Sequence, residues 1–229
     1  MEWWSKEVVK PLYSNKVRRH IWQWLTKRPE HFKKVFSKDF PPPENLCLMT
    51  TLTGPSKDNL ARLKSLREAP GAMKGLSIEP LWERIPADQL DLTGIDWVIV
   101  GGESGHKDAR PFDLARAREI RNHCQKNSVA FFLKQLGRNQ VDKGKPIKLR
   151  DGHGGDWDEW PGDLKIREFP QAFHEHRKGK LQFLDGQTKE RPAPGKKKPK
   201  KEAVATLALL RCVASSLMPS KRTCLNYAT

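Results

Sequence analysis

Cysteine is scarce in this sequence, and its four copies lie far apart, at positions 47, 124, 212 and 224. They form neither a Cys-x-x-Cys pair nor a Cys/His group with the spacing of zinc ligands, so we predict no metal site. Cys47 falls in a predicted strand and Cys124 at an apolar position of a predicted helix, which favours core packing for both.

The sequence also has no run of the roughly 20 apolar residues that a membrane-spanning helix needs. One apolar stretch near the C-terminus, residues 203–218, contains Arg211. The first seven residues lack the basic flank and apolar run of a signal peptide. We therefore expect no membrane partner and a cytoplasmic location.

Three common ligand-binding or catalytic motifs are missing as well. The chain contains no Gly-x-Gly-x-x-Gly, no phosphate loop ending in Gly-Lys-Ser/Thr, and no Gly-x-Ser-x-Gly. The usual nucleotide fingerprints and a serine nucleophile elbow are thereby excluded, and no motif of this kind identifies a ligand.

Positive charge is abundant and unevenly distributed. Lys and Arg number 43 against 27 Asp and Glu, a formal net charge of +16, and a basic run occupies residues 196–201. A basic tail favours nucleic acid and other polyanions without sequence specificity. Such a run is also typical of a solvated, disordered extension. Both interpretations stay open.

Strand and helix patterns alternate through the first part of the chain. Strand-like segments occupy residues 21–26, 46–52, 75–79, 95–100 and 129–133. Helical patterns follow Pro29, Ser56 and Asp113, and the last two residues suit helix N-caps. Between the third and fourth strands we expect a loop containing Pro86. This order predicts a parallel sheet with helices outside it.

Five repeats are too few for a closed eight-unit barrel, which takes about 250 residues. We therefore predict an α/β fold: a partial TIM-like (β/α) barrel with parallel strands. The predicted divisions are a lead segment (1–16), the barrel core (17–137), a packed C-terminal loop region with little regular structure (138–170), and a disordered basic tail (171–229).

The segment from Ile95 to Gly105 is the most informative one. Its apolar run reaches Val100 and then breaks into Gly101-Gly102, followed at once by Glu103 and Ser104. The run is typical of a strand buried on both faces. Glycines at its end permit a sharp turn and a close approach to a ligand. Because ligands collect at the carboxyl ends of strands in α/β folds, we expect a binding site here.

Polar residues follow the other predicted strands too, and parallel strands bring their carboxyl ends to one edge. They are Thr26, Lys27 and Arg28; Thr50 and Thr51; Glu79; and Lys134 and Gln135. Glu79 and Lys134 are the candidate catalytic acid/base pair. A single such residue is as readily a helix cap or a surface ion-pair partner.

Roles in cofactor or ligand binding are assigned to a second group. We expect Gly101 and Gly102 to leave room for a ligand, and Glu103 to accept hydrogen bonds from an amine or from ribose hydroxyls. Ser104 is a further candidate for cofactor binding. Cationic side chains suited to a carboxylate or phosphate are Lys27, Arg28 and Arg110. His153, in a glycine-rich loop, is a weaker candidate base or ligand.

Several segments together resemble a family of uncharacterised phage and bacterial proteins that is itself similar to radical S-adenosylmethionine proteins. They are LTKRP (25–29), LSIEP (76–80), WVIVGGESG (97–105) with ARP (109–111), FFLKQ (131–135), GGDWDEWP (154–161) and REFP (167–170). The resemblance implies a TIM-like barrel whose rim around Glu103 faces S-adenosylmethionine. It also implies a four-iron, four-sulfur cluster on three clustered cysteines, which this chain lacks, so the chain resembles the C-terminal part of a family member.

Three functions follow as hypotheses. The first is a truncated, phage-related radical-enzyme-like protein that keeps a small-molecule rim and has no independent catalysis. The second is a nucleic-acid-binding accessory protein that uses the basic tail at residues 191–201. The third is an enzyme of ordinary barrel type that binds a phosphorylated ligand through Lys27, Arg28 and Gly101-Gly102.

Overall fold

The computed structural model describes residues 5–71, 73–105 and 108–176. Its central feature is a parallel sheet in the order β1-β2-β3-β4-β6. These strands are β1 (Trp22–Thr26), β2 (Leu46–Leu52), β3 (Met73–Ile78), β4 (Trp97–Gly101) and β6 (Ala130–Gln135). The predicted mixed α/β class and the five parallel strands are therefore confirmed.

The helices lie in the connections between these strands. They are α1 (Lys10–Leu12), preceded by a π-helical turn (Ser5–Val9); α2 (Phe32–Val35), preceded by a 3-10 turn (Pro29–His31); α3 (Lys57–Arg67); and α4 (Leu114–Lys126). The predicted caps are present, since Ser56 accepts a hydrogen bond from the Asn59 amide and Asp113 from the Ala115 amide. The connection from β3 to β4 is a loop, as expected.

A smaller sheet joins β5 (Phe112–Asp113), β7 (Gln140–Asp142) and β8 (Lys145–Pro146) in that order. Two 3-10 turns follow, Trp157–Glu159 and Gly162–Leu164. The region 138–170 thus has little regular structure. Its last part closes the free edge of β6, because Ile166 O accepts a hydrogen bond from the Leu133 amide and the Glu168 amide donates to Phe131 O, both at 2.9 Å. A covered edge cannot recruit another strand by accident.

Both faces of the main sheet are buried at its middle strands, which explains their near-continuous apolar runs. Every residue of β2 and of β4 is buried. One face packs against α3 and α4 through side chains that include Leu63, Leu66 and Ile120. The opposite face, here called the inner face, carries a second cluster that comprises Cys47, Met49, Met73, Trp97, Ile99 and Phe173.

The first residues of the predicted tail pack on the inner face of the sheet. Residues 171–176, at the start of the predicted disordered tail, form a helical turn. Phe173 is only 8% exposed, and its ring centroid lies 5.3 Å from that of Trp97. An aromatic contact of this kind holds the turn on the sheet. The rest of the predicted tail, with its basic run, lies outside the described residues. Among the helices described, none is both long enough and apolar enough to cross a membrane.

Candidate functional site

The inner face changes from apolar to polar towards the carboxyl ends of the strands. Alternation along a strand places Thr51 on the same face as Met49, and Ser77 on the same face as Met73. Thr51 and Ser77 are register partners on β2 and β3, and both are buried. Within the described chain neither hydroxyl makes a hydrogen bond, so both are available to a ligand.

Glu79 and Lys134 form an ion pair at this polar end. The Lys134 ammonium donates to Glu79 Oε1 at 2.7 Å, and the two side chains are 12% (Glu79) and 33% (Lys134) exposed. Glu79 follows β3 and Lys134 lies in β6, while β4 runs between those strands. The pair therefore crosses β4, and the structure brings together the two residues proposed from the sequence as an acid/base pair.

Gly101 is the residue of β4 over which this pair passes. A Cβ atom on Gly101 would lie 3.2 Å from Glu79 Cγ and 3.3 Å from its Oε1. The missing side chain leaves the space that the Glu79 carboxylate uses to cross β4. The space beside Gly101 is thus occupied by the protein's own carboxylate, and a role of Gly101 in ligand binding stays a prediction.

Gly102 likewise makes room for the protein's own backbone. A Cβ atom there would lie 2.2 Å from the Leu136 carbonyl oxygen. Gly137 and Gly154, both with positive φ, continue the contact: their Cβ positions fall 2.7 Å from Glu103 O and 2.5 Å from Gly137 O. Hydrogen bonds from the Leu136 amide to Gly154 O and from the Arg138 amide to Glu103 O hold the segments together, both at 2.9 Å. We call Gly102, Gly137 and Gly154 the glycine contact.

Glu103, Ser104 and Arg110 lie in the loop that follows β4. Glu103 is half-buried, and its Oε2 accepts a hydrogen bond from the Arg110 amide at 3.1 Å. Ser104 is exposed. The Arg110 guanidinium stacks on the indole of Trp82, with Cζ 3.7 Å from the ring centroid.

Lys27 and Arg28 lie at the same edge of the sheet but beyond β2, at the end of the edge strand β1. Both are exposed, and neither enters a salt bridge with any residue of the described ranges. Arg28 is bonded through its backbone: its amide donates to Thr26 Oγ1 at 3.0 Å, and its carbonyl oxygen accepts from the His31 amide at 3.1 Å. The structure does not bring them into contact with Glu79 and Lys134.

The glycine-rich loop around His153 is organised by Asp151. The carboxylate of Asp151 accepts hydrogen bonds from the amides of His153, Gly155 and Asp156. These bonds, that from His153 first, lower the pKa of the Asp151 carboxyl. The His153 side chain is exposed and is not brought to the ion pair. The loop presents Gly154 to the glycine contact.

Sequence reasoning missed Ser77 and Trp82 as site residues. The sequence did contain a signal for Ser77. Side chains two residues apart in a strand lie on the same face, so Ser77 shares the face of Glu79. Trp82 had none, since its contact with Arg110 joins two loops. Thr50, taken with Thr51 from the sequence, uses its hydroxyl to donate to Thr26 O at 2.8 Å.

The cysteines of the described chain do not fit an iron–sulfur cluster. Cys47 and Cys124 are both fully buried. Burial raises the pKa of the Cys47 thiol, and it raises that of Cys124 to about 12. Cluster ligands are thiolates, which such sites disfavour. No three His, Cys, Asp or Glu residues among those described are grouped to hold a metal ion. Cys212 and Cys224 lie outside the described residues.

The comparisons with known proteins place the chain by one match. A family model described as "Protein of unknown function (DUF5131)" matches residues 2–192. No curated protein and no solved structure matches the chain. The match spans the main sheet, the ion pair and the glycine contact.

Proposed function

Because the chain belongs to this family of proteins of unknown function, we propose its function from the geometry of the sheet's carboxyl edge. The proposal is a small-molecule-binding protein built as a partial TIM-like barrel of the radical S-adenosylmethionine type. Its support is the strand order, in which each successive strand of the main sheet is added on the same side. Barrels are wound in this way, whereas doubly wound sheets reverse direction at a switch point.

The Glu79–Lys134 ion pair is the observation that carries the proposal. A half-buried carboxylate and ammonium at 2.7 Å offer an acceptor for an amine and a donor for a carboxylate. The unused hydroxyls of Thr51 and Ser77 lie on the same face. This set fits a ligand that carries both an ammonium and a carboxylate group. The amino-acid part of S-adenosylmethionine, the cofactor that the sequence resemblance implies, has this chemistry.

The proposal includes no catalytic step. A radical enzyme of this type needs cluster thiolates, and the described residues supply no set of them. In this proposal the chain binds the ligand and orients its charged groups, without independent catalysis.

The experiment is calorimetric titration of the full chain with S-adenosylmethionine and with a panel of phosphorylated metabolites. Lys134→Met and Glu79→Gln should each weaken S-adenosylmethionine binding about tenfold, since each removes one of the two charged groups that the proposal assigns to the ligand. Lys33→Met is the matched control, because Lys33 forms an equally short pair with Glu68, 2.7 Å, on the exposed surface.

S-adenosylmethionine binding that is unchanged in both Lys134→Met and Glu79→Gln would contradict the proposal. Binding of phosphorylated metabolites that depends on Lys27 and Arg28 would favour instead the phosphate-ligand enzyme of ordinary barrel type.

A second candidate function, nucleic-acid binding, has one supporting observation in the fold. The hairpin of β7 and β8, with the two residues that follow it, exposes Lys143, Lys145 and Lys148, and in the part of the chain described none of them has an acidic partner. The basic residues at 191–201 lie outside that part. We expect DNA binding that falls steeply with salt and is lost when the lysines of residues 196–201 become Gln. If DNA binding is lost only when Lys143, Lys145 and Lys148 are changed, these lysines and not the tail bind the DNA.

A further inference from the structure

Arg110 is a cation held in place on an aromatic ring, and it has no ionic partner among the residues that the structure describes. Its guanidinium stacks on Trp82 at 3.7 Å from the ring centroid. The nearby carboxylate of Glu103 accepts a hydrogen bond from the Arg110 backbone amide, and no hydrogen bond or salt bridge of the guanidinium is found within the described ranges. A planar guanidinium fixed on an aromatic face keeps all its N–H donors for a bound oxyanion.

Trp82 is itself fixed by the backbone. The Trp82 amide donates to Thr53 O at 3.0 Å, and the Trp82 carbonyl oxygen accepts from the Arg116 guanidinium at 2.5 Å. Its indole Nε1 is buried and lacks a hydrogen-bond partner in the described structure. An unsatisfied buried donor is costly and marks a place where a partner is missing.

One loop links Arg110 to the ion pair. Residues 79–83 run across the carboxyl edge of the sheet, because the Leu81 amide donates to Gly101 O at the end of β4 and the Trp82 amide donates to Thr53 O after β2. Glu79 lies at one end of this loop and Trp82 near the other. The stacked guanidinium and the Lys134 ammonium therefore both contact this short segment, through Trp82 and Glu79 respectively.

We propose that Arg110, positioned by Trp82, is an oxyanion-binding arm of this site, which takes a carboxylate or a phosphate group of the ligand. The inference rests on the proposed ligand-binding function and adds the residue that recognises the anionic group. It assigns Trp82 as a positioning residue, because the indole sets the orientation of the guanidinium.

The test is the rate of phenylglyoxal labelling of Arg110 in the full chain, measured by peptide mass spectrometry. Rates are compared in chloride, acetate and inorganic phosphate at equal ionic strength. Arg18 is the control: it is exposed and precedes β1, at the opposite edge of the sheet. We expect a bound anion to slow labelling of Arg110 by about threefold or more, a modest guanidinium–anion preference, while Arg18 is unaffected.

The two anions separate the two ligand classes. Protection by acetate identifies a carboxylate site, and protection by phosphate alone identifies a phosphate site. The proposal is overturned if neither anion slows Arg110 more than Arg18.

Two Trp82 variants test the positioning role. Trp82→Phe keeps an aromatic face and should keep the protection, whereas Trp82→Leu should lose it. Full protection in a folded Trp82→Leu chain would overturn that role, and the wild-type comparison stands even if this variant does not fold.

Lys134→Met separates this inference from the proposed function. The guanidinium does not contact the ion pair, so phosphate should still protect Arg110 in that variant. Suppose that anions protect Arg110 from labelling but S-adenosylmethionine does not bind the wild-type protein. That result would refute the cofactor proposal and still support Arg110 as an oxyanion-binding residue.

Discussion

Replacing Gly102 with Ala tests whether the Gly101-Gly102 pair serves packing or ligand binding. The new Cβ atom would lie 2.2 Å from the Leu136 carbonyl oxygen, 2.7 Å from its carbon and 2.9 Å from Gly137 Cα. All three atoms are backbone, so no side-chain rotation relieves the overlap. Carbon contacts are favourable only near 3.5 Å and beyond, so the segments must separate by about 1 Å.

The cost follows from what joins those segments. The Gly102 amide donates to Gln135 O at 3.1 Å, and two further backbone bonds tie Leu136 to Gly154 and Arg138 to Glu103. Weakening two or three bonds costs about 0.5 to 1.5 kcal/mol each, and overpacking adds about 1 to 3 kcal/mol. We therefore expect Gly102→Ala to lower the free energy of unfolding by roughly 3 to 5 kcal/mol, a large share of a typical domain's stability.

Urea unfolding followed by tryptophan fluorescence measures this change. Gly162→Ala is the control, because nothing lies within 4 Å of a Cβ atom there, and its effect should stay within about 0.5 kcal/mol. Gly101→Ala should fall between the two, since its nearest neighbours are atoms of the Glu79 side chain. A Gly102→Ala protein that is as stable as wild type but no longer binds ligand would refute the packing argument.

Three further outcomes are expected. A double-mutant cycle with Glu79→Gln and Lys134→Met should give a coupling energy of roughly 1 to 2 kcal/mol after solvent screening; additive effects would contradict the pair. Hydrogen bonds from Arg118, first among the causes, lower the pKa of Asp163 from 3.8 to about 2. The stability from this contact is therefore present above pH 3.8 and lost as the pH falls towards 2, so Asp163→Asn should destabilise the protein at pH 7, with the gap to wild type closing near pH 2. Phe173→Ala should cost about 3 kcal/mol in thermal or urea unfolding, and an unchanged midpoint would show that residues 171–176 do not hold the inner face.

Much of the fold follows from local pattern. The run ending at Val100 is apolar because both of its faces are buried, and this run of residues alone predicted a strand buried on both faces. Ser56 and Asp113 cap their helices through neighbours two or three residues away. Such features depend on short segments of chain, which is why they can be predicted from them.

The candidate site could be predicted only in part from short segments of sequence. The sequence by itself determined that polar residues follow the strands and therefore gather at one edge, Glu79 and Lys134 among them. The tertiary structure decided that these two side chains meet across Gly101. It also decided that the Leu136 backbone occupies the space beside Gly102, and that Arg110 stacks on Trp82. Each of these contacts joins residues brought together by strand register and loop path. A contact of this kind is set by the packing of whole segments in three dimensions, and local residue preference carries no information about it.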